Sequence, residues 1–386
     1  MGDEPKIAII GAGLAGVSLA TALLERGVDS SRLHLFDGGD PRRGSSVPAT
    51  MIHPFPGRAM TFRRGQADAF IRSWGRLQRW NEQCGGRFSR PAPMIRPLTD
   101  DERGQRLQKT WLEARADYPD LIECREVGPG ELNERFPQFQ STVPALVYSP
   151  AAAIILPDLV DALLGRLESG GVTVHRRQVH ALQDLGGHWR LDTESGKTTF
   201  DQVVLAVGAS LDRIFPNLDL RRRAGEVLIF DPGECELSAL FNGGKHICQR
   251  PDGYWGLGST YFDPADWQER DDEVVAKALI AGVNQFLPIV NDLPIIEVGR
   301  AVRGVFGSDH MPLAGAVPGR DGLYVLAAFG SKGLLWAPAV AADVAALLVG
   351  DAQALSPHVE ARRMALRHWA TAGDEVMRFA RSPVLG

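Results

Sequence analysis

Three glycines, Gly11, Gly13 and Gly16, follow the short apolar run Lys6–Ile10 and fit the pattern GxGxxG. Each has a chemical reason. Gly11 permits a tight turn, Gly13 lets the backbone approach a pyrophosphate, and Gly16 allows a helix to pack closely on a strand. The helix predicted after this turn has unpaired N–H groups at its start, and such groups attract an anion.

A second apolar run, Leu33–Phe36, ends in Asp37, about 20 positions after Gly16. A carboxylate with this spacing can accept hydrogen bonds from both ribose hydroxyls of a dinucleotide. A strand, a helix, a second strand and an acid in this order therefore predict dinucleotide binding. The motif does not distinguish FAD from NAD. The expected contacts are Gly11, Gly13, Leu14, Ala15, Gly16 and Asp37.

Further along the chain, helical spacing from Leu156 and the apolar run Asp201–Gly208 predict more of the same α/β domain. Val207 and Gly208 would then stand at the edge of the sheet that faces the cofactor. Alternating apolar and polar residues from Ala224 to Asp263, punctuated by glycine and proline, predict an inserted antiparallel sheet.

The C-terminal part returns to α/β character, with a predicted strand Leu323–Ala328, a glycine loop Phe329–Gly333 and a long apolar helix Leu335–Leu348. Because α/β segments occur at both ends of the chain, the nucleotide domain is predicted to be discontinuous. The fold class predicted is mixed α/β, with a Rossmann-like domain and an inserted antiparallel-sheet substrate domain. The Rossmann-like domain is expected at 1–85, 146–215 and 300–386, and the substrate domain at 86–145 and 216–299.

The composition is that of a soluble globular protein, since 44% of the 386 residues are hydrophobic and 23% are charged. No apolar run approaches the roughly 20 residues that span a bilayer, and no export signal is recognisable, so we expect a cytoplasmic location. The four cysteines form no CxxC pair, and no HExxH or GxSxG occurs, so neither a metal nor hydrolase chemistry is expected. The net charge of −5 argues against a nucleic-acid coat, whereas the arginine doublets could build a local basic groove.

Four stretches, 7–20, 156–180, 203–210 and 308–348, resemble the D-amino-acid oxidase (DAO) superfamily of FAD-dependent oxidoreductases. In the last stretch, Asp309–Pro312 and Phe329–Leu334 are similar to the FAD oxidase domain of the MnmC family, bifunctional enzymes that modify the tRNA wobble uridine. That domain removes a carboxymethyl group from a secondary amine. The resemblance thus implies FAD, oxidation of a C–N bond, and either modified tRNA or a free amino acid such as glycine or sarcosine as substrate.

Two departures from the family pattern stand out. The methyltransferase half is missing, which implies a free-standing oxidase, and Asp37 stands where a glutamate is commoner. The family's carboxylate-binding arginine aligns with Gly304, so we expect Arg303, one position away, to take its role; Arg300 or a residue of the inserted domain is the alternative. No cysteine lies in the C-terminal third, so the FAD is expected to be non-covalent.

The resemblance and the predicted elements together give a set of expected site residues. Those expected to act on the substrate are Arg303, Lys332, Tyr254 and Tyr261. Further cofactor contacts are expected at Ser45, Ser46, His53, Val179, Val207, Gly208, Gly330, Ser331, Lys332, Gly333 and Leu334. A helix beginning after Gly330–Gly333, with Lys332, would stabilise negative charge on the reduced flavin by about 0.3 to 2 kcal/mol. Core packing of the tyrosines and a solvated Lys332 are the alternatives.

Three function classes stay open at this point. An FAD-dependent amine oxidase or dehydrogenase accounts for both ends of the chain, with the electron acceptor and oligomeric state undetermined. An NAD-dependent dehydrogenase accounts for the first 40 residues but leaves the C-terminal glycine loop unexplained. The third class is a flavin-containing binding protein without turnover.

Overall fold

The computed structural model describes residues 5–56, 64–99, 102–118, 122–264, 270–307, 309–351, 355–364 and 376–379. Contacts divide the chain into two compact units, each assembled from separate segments. Unit 1 comprises 1–45, 160–223 and 302–386, and unit 2 comprises 46–159 and 224–301.

The strands are β1 (Ile7–Ile10), β2 (Leu33–Phe36), β3 (Thr50–Ile52), β4 (Ser89–Pro91), β5 (Met94–Pro97), β6 (Glu123–Val127), β7 (Ala145–Ser149), β8 (Ala152–Ile154), β9 (Thr173–His175), β10 (Val179–Asp184), β11 (Trp189–Thr193), β12 (Gly196–Phe200), β13 (Gln202–Leu205), β14 (Leu220–Phe230), β15 (Leu240–Asn242), β16 (His246–Gln249), β17 (Trp255–Gly258), β18 (Ile295–Phe306), β19 (Leu313–Ala316), β20 (Leu323–Ala327) and β21 (Val376–Arg378). The α-helices are α1 (Leu14–Glu25), α2 (Arg64–Gln83), α3 (Glu102–Asp117), α4 (Pro129–Arg135), α5 (Leu156–Ser169), α6 (Leu211–Ile214), α7 (Asp272–Ile280) and α8 (Gly333–Leu348).

Unit 1 is built on a six-stranded sheet in the order β19-β20-β13-β1-β2-β9. Its strands are parallel except β19, which runs antiparallel to β20. All four residues of β1 are buried, as expected for a parallel strand covered on both faces. Helices α1 and α8 pack against each other, and their abundance of alanine and glycine permits a close approach. A smaller antiparallel sheet, β12-β11-β10-β21, shares the core of this unit through Trp189 and Phe200.

Unit 2 contains an eight-stranded sheet in the order β18-β14-β17-β16-β15-β5-β7-β6. Strand β15 pairs with β5 in parallel, whereas the pairs β14–β17, β17–β16, β16–β15, β5–β7 and β7–β6 are antiparallel. A three-stranded antiparallel sheet, β3-β8-β4, lies in the same unit. The antiparallel sheet expected between Ala224 and Asp263 corresponds to the later part of β14 together with β15, β16 and β17.

The boundaries of the two units differ from those expected from the sequence. Residues 46–85 and 146–159 were expected in the nucleotide domain, but their contacts place them in unit 2. The reason is strand pairing, since β3 and β4 both bond to β8, and β7 bonds to β5 and β6. The pairing of β3 with β8 joins segments that are about 100 residues apart, so local periodicity does not reveal it.

The core of unit 1 allows a test. Leu205 is fully buried in β13, level with Ile10 and Val325 on the neighbouring strands. We expect Leu205→Ala to lower the free energy of unfolding by about 2 to 5 kcal/mol, because it removes buried methyl groups and leaves a cavity. Leu185→Ala, at a residue of the same unit that is 44% exposed, should change it by less than about 0.5 kcal/mol. Urea unfolding of both variants measures the difference, and equal losses would contradict this account of the core.

Candidate functional site

The carboxyl ends of β2, β1, β13 and β20 meet at one edge of the unit 1 sheet, because these strands are neighbours and parallel. The chain leaves this edge through Asp37, the glycine turn after β1, Val207–Gly208 and the loop Phe329–Gly333. Four separately predicted features are therefore assembled at one place. This edge is where ligands bind in open α/β sheets.

The glycine turn has no room for larger residues. Gly11 has φ +110°, and a β-carbon there would lie 2.4 Å from the Ala206 carbonyl oxygen. A β-carbon on Gly16 would lie 1.8 Å from the Gly11 carbonyl oxygen. Strand β13, the turn and helix α1 are thus held in backbone contact, as the sequence predicts for a nucleotide-binding turn.

The start of α1 presents backbone donors. Gly13 is the N-cap and supplies no side chain, while the Leu14 N–H donates to the Ser45 hydroxyl at 2.9 Å. The amides of Ala15 and Gly16 lie in the first turn, which has no intrahelical acceptor for them. Open amides and the positive end of the helix dipole fit a pyrophosphate. Ser45 thus lies beside this turn, where a β-carbon on Gly13 would lie 3.0 Å from its Oγ atom.

Asp37 follows β2, where its own N–H donates to the His175 carbonyl. Its carboxylate accepts from Nη1 of Arg43 at 2.9 and 3.1 Å and from the Gly39 amide at 3.0 Å. Arg43 was not among the site residues predicted from the sequence. A carboxylate can accept about four hydrogen bonds, so the binding of a ribose hydroxyl by Asp37 stays compatible with this ion pair.

The glycine loop after β20 is joined to β18. Gly330, with φ +56°, donates its N–H to the Gly304 carbonyl at 3.0 Å, and Val305 forms a bridge with Phe329. Helix α8 begins at Gly333, two residues before the predicted start at Leu335, and Lys332 is its N-cap. Lys332 and Gly333 are partly buried, Ser331 is exposed and Leu334 is buried.

Arg303 lies on β18 beside this loop and is partly buried. A side chain at the neighbouring position, Gly304, would require the backbone at Ala209 to shift, since a β-carbon there would lie 3.1 Å from the Ala209 α-carbon. Successive residues of a strand point to opposite faces, so the side chain of Arg303 lies on the other face. Carboxylate binding by Arg303 stays a prediction.

The alternative arginine, Arg300, belongs to unit 2 and is engaged by acids. Its Nε atom lies 3.7 Å from the Glu226 carboxylate, which is fully buried, and its guanidinium bonds Asp272. Glu226 also accepts from the Thr260 hydroxyl at 2.9 Å. This arrangement gives Arg300 a structural role and weakens it as the substrate-binding alternative.

Two more features of unit 1 bear on the predictions. Val179 begins β10, where it is buried and pairs with Thr193 next to a register shift. His310 has φ +55° in an exposed turn. Arg363 holds that turn by bonding Asp309 through two contacts of 2.9 and 2.7 Å, which the sequence did not indicate.

The remaining predicted residues belong to unit 2. Tyr254 and Tyr261 are 38% and 46% exposed, so neither is packed in a core, whereas Trp255 between them is fully buried. Tyr254 lies at the hairpin between β16 and β17, with Arg250 over its ring at 5.9 Å. Ser46 ends a 3₁₀ turn, Gly44–Ser46. His53 is buried, and its Nδ1 atom lies 3.2 Å from the Tyr148 hydroxyl.

Within the described ranges, no group of three or more His, Cys, Asp or Glu side chains could hold a metal ion. No α-helix in that part of the chain is long and apolar enough to cross a bilayer.

Known proteins resemble this chain over most of its length. It is 27% identical to the tRNA 5-methylaminomethyl-2-thiouridine biosynthesis bifunctional protein MnmC of Maricaulis maris (strain MCS10) over 357 residues, 92% of this chain and 53% of that protein. The MnmC protein of Caulobacter sp. (strain K31) is 29% identical over 365 residues, 89% of this chain and 54% of that protein. The chain therefore spans about half the length of these curated relatives.

The fold also matches solved structures. The glycine oxidase of Geobacillus kaustophilus superposes with a TM-score of 0.81 at 20% identity, covering 94% of this chain and 99% of that one. The family model described as "DAO: FAD dependent oxidoreductase" matches residues 6–347. The predicted mixed α/β fold, the FAD cofactor and the assignment as an FAD-dependent oxidoreductase are confirmed, because the chain belongs to the DAO family of FAD-dependent oxidoreductases.

Proposed function

We propose that this protein oxidises the C–N bond of the carboxymethylaminomethyl group on a tRNA uridine and so removes the carboxymethyl group. The observation that carries this proposal is the 27–29% identity to bifunctional tRNA-modifying proteins over about nine-tenths of the chain. Oxidation of a free amino acid such as glycine or sarcosine is the second candidate. The glycine oxidase fold and the net charge of −5 favour it.

The edge of the unit 1 sheet fits FAD. Gly11 and Gly16 leave no space for side chains, and the open amides of Ala15 and Gly16 suit the pyrophosphate. Asp37 would accept from a ribose hydroxyl while Arg43 fixes the orientation of its carboxylate. Val207, Gly208 and the loop Gly330–Gly333 would complete the contacts along the same edge.

The proposed reaction is a two-electron oxidation. FAD, held at this edge, would supply the two-electron oxidant that takes a hydride from the carbon next to the amine nitrogen. The nitrogen loses a proton, an imine forms, and water then cleaves the C–N bond to give a primary amine and an aldehyde acid. The protein's part is to hold the substrate carboxylate, for which Arg303 offers a bidentate partner, and to exclude competing reactions. The amide end of α8, with Lys332, would favour negative charge nearby.

The role of Asp37 can be tested through cofactor affinity. Asp37→Lys removes the acceptor for the ribose and places a second cation against Arg43, so we expect the Kd for FAD to rise about tenfold or more. Asp40→Lys, an equal change of charge at an exposed residue three positions later, is the matched control. Titration of apo-protein with FAD measures both, and equal affinities in the two variants would remove Asp37 from the cofactor site.

The role of Arg303 can be tested through kinetics. Loss of one partner of a buried charge pair costs roughly 2 to 5 kcal/mol, so Arg303→Ala should lower kcat/KM for a carboxylate substrate by about thirtyfold or more. FAD content should stay unchanged. The control is Arg221→Ala, at an exposed arginine of the same unit that pairs with Asp219. Wild-type kinetics in the Arg303 variant would assign carboxylate binding to another residue.

The substrate itself can be identified by anaerobic reduction of the flavin. We expect bleaching of the flavin absorbance by tRNA that carries the carboxymethylated base and none by tRNA that lacks it. The tRNA reaction should weaken steeply as salt concentration rises, because every neutralised phosphate releases counterions. Glycine and sarcosine are the comparison arm. Bleaching by these free amino acids alone would reject the tRNA substrate and support the second candidate.

A further inference from the structure

We propose that strand β6 pairs with β6 of a second copy of this chain, so that the eight-stranded sheet of unit 2 continues from one protomer into its partner. The two strands run antiparallel, and Cys124 of one copy lies opposite Cys124 of the other. We call this contact the β6–β6 interface. All its residues belong to unit 2, and it goes beyond the proposed function because it does not depend on the substrate.

Strand β6 is the last strand at one edge of that sheet. In the part of the chain that the structure describes, its ladder partner is β7, and the two strands pair without a register shift over all five residues of β6. Glu123, Arg125 and Glu126 are exposed. Each strand of an antiparallel ladder directs alternate backbone groups to either side. The side of β6 away from β7 therefore presents a row of N–H and C=O groups that a further strand can bind.

A groove of about 600 Å³ runs beside this edge. Its lining comprises Trp111 and Leu112 of α3, Ile122, and Glu123, Cys124, Arg125 and Glu126 of β6. Leu112 is 60% exposed, which makes it the most exposed large hydrophobic side chain in the described part of the chain. The edge thus combines backbone groups, space and an apolar contact. Proline and bulges, two common means of protecting a sheet edge, do not occur in β6.

The geometry of a two-fold pair limits the register. A symmetric dimer uses the same surface of both copies, so two copies of one strand run antiparallel about the axis. Side chains directly opposite each other project from the same face of the sheet, and successive residues alternate between the two faces. Opposite partners are therefore separated by an even number of positions in the sequence. One residue of β6 must then lie on the axis, opposite its own copy.

The charges of β6 select that residue. An axis at Glu123, Arg125 or Glu126 would place two like charges directly opposite each other, which is destabilising. An axis at Val127, the last residue of β6, would set the strand against the start of α4, where no strand continues. Cys124 is the remaining position of the strand.

An axis at Cys124 makes the strand complementary to itself. Glu123 of each copy then lies opposite Arg125 of the other, which gives two pairs of opposite charge. Within its own chain, Arg125 is paired with Glu131, since Nη1 of Arg125 lies 2.7 Å from the Glu131 carboxylate. A guanidinium has five N–H donors, so Arg125 can bind both carboxylates. Charge complementarity therefore identifies the occupant of this edge as a second copy of the same strand.

The first experiment measures the dissociation constant of the dimer by sedimentation equilibrium of the FAD-loaded full chain. We expect Arg125→Glu to raise it about tenfold or more, because two attractive charge pairs become repulsive. Glu131→Gln removes the partner of Arg125 within the chain but leaves the edge intact, so this matched control should keep the wild-type value. A monomeric wild type, or equal dissociation constants in the wild type and Arg125→Glu, would overturn the proposal.

The second experiment mixes two variants that cannot pair with themselves. Glu123→Arg and Arg125→Glu each place like charges opposite each other in a homodimer, whereas both charge pairs are attractive in a mixed dimer. We expect an equimolar mixture to recover the wild-type dissociation constant, with a mass tag on one variant to identify the mixed species. Both residues are exposed, and the FAD content of each variant checks its fold. A mixture that dissociates as readily as the single variants would rule out the register centred on Cys124.

The third experiment follows the backbone by amide hydrogen exchange. In the wild-type dimer, the amides of β6 that face the partner should exchange slowly, and in monomeric Arg125→Glu they should exchange faster. The amides of β7 are the internal control, because β7 lies between β5 and β6 within each chain. Equal exchange of β6 in both proteins would overturn the strand pairing. None of these experiments uses a substrate, so a failure of the proposed function would leave their outcome unaffected.

Discussion

The arrangement of unit 1 depends on one steric constraint, the lack of space for a β-carbon at Gly11 and Gly16. Because these positions are glycine, β1, β13 and the start of α1 come into backbone contact. That contact brings the open amides of α1 to the same edge as Asp37 and the loop after β20. A side chain at either position would separate these backbones, and the groups that fit a pyrophosphate would no longer lie together.

The sequence predicted this edge well because its signals are local. Strand β2 agrees with the predicted run Leu33–Phe36, and the turn, the acid and the later glycine loop each depend on a few consecutive residues. Parallel pairing of the strands then assembles them without further information. The family resemblance added the identity of the cofactor, which the glycine pattern alone had left open between FAD and NAD.

Unit 2 was harder to predict because its features are not local. His53 and Tyr148 are 95 residues apart, and their contact accompanies the pairing of β3 with β8, the strand that follows β7, rather than a motif. The exposure of Tyr254 and Tyr261 also depends on a hairpin whose surroundings no short pattern describes. The contact between Arg43 and Asp37 could have been predicted, since the two residues are close in sequence and carry opposite charges.

The interleaved segments of the two units constrain how the protein folds during synthesis. Strand β1 is made first, yet its neighbour β13 is translated about 190 residues later, and the glycine loop at Gly330 later still. The nascent chain therefore emerges from the ribosome with an apolar strand that has a partner on one side only. Such a strand edge invites aggregation until β13 arrives, so recruitment of a chaperone to the growing chain would be most useful between these two points.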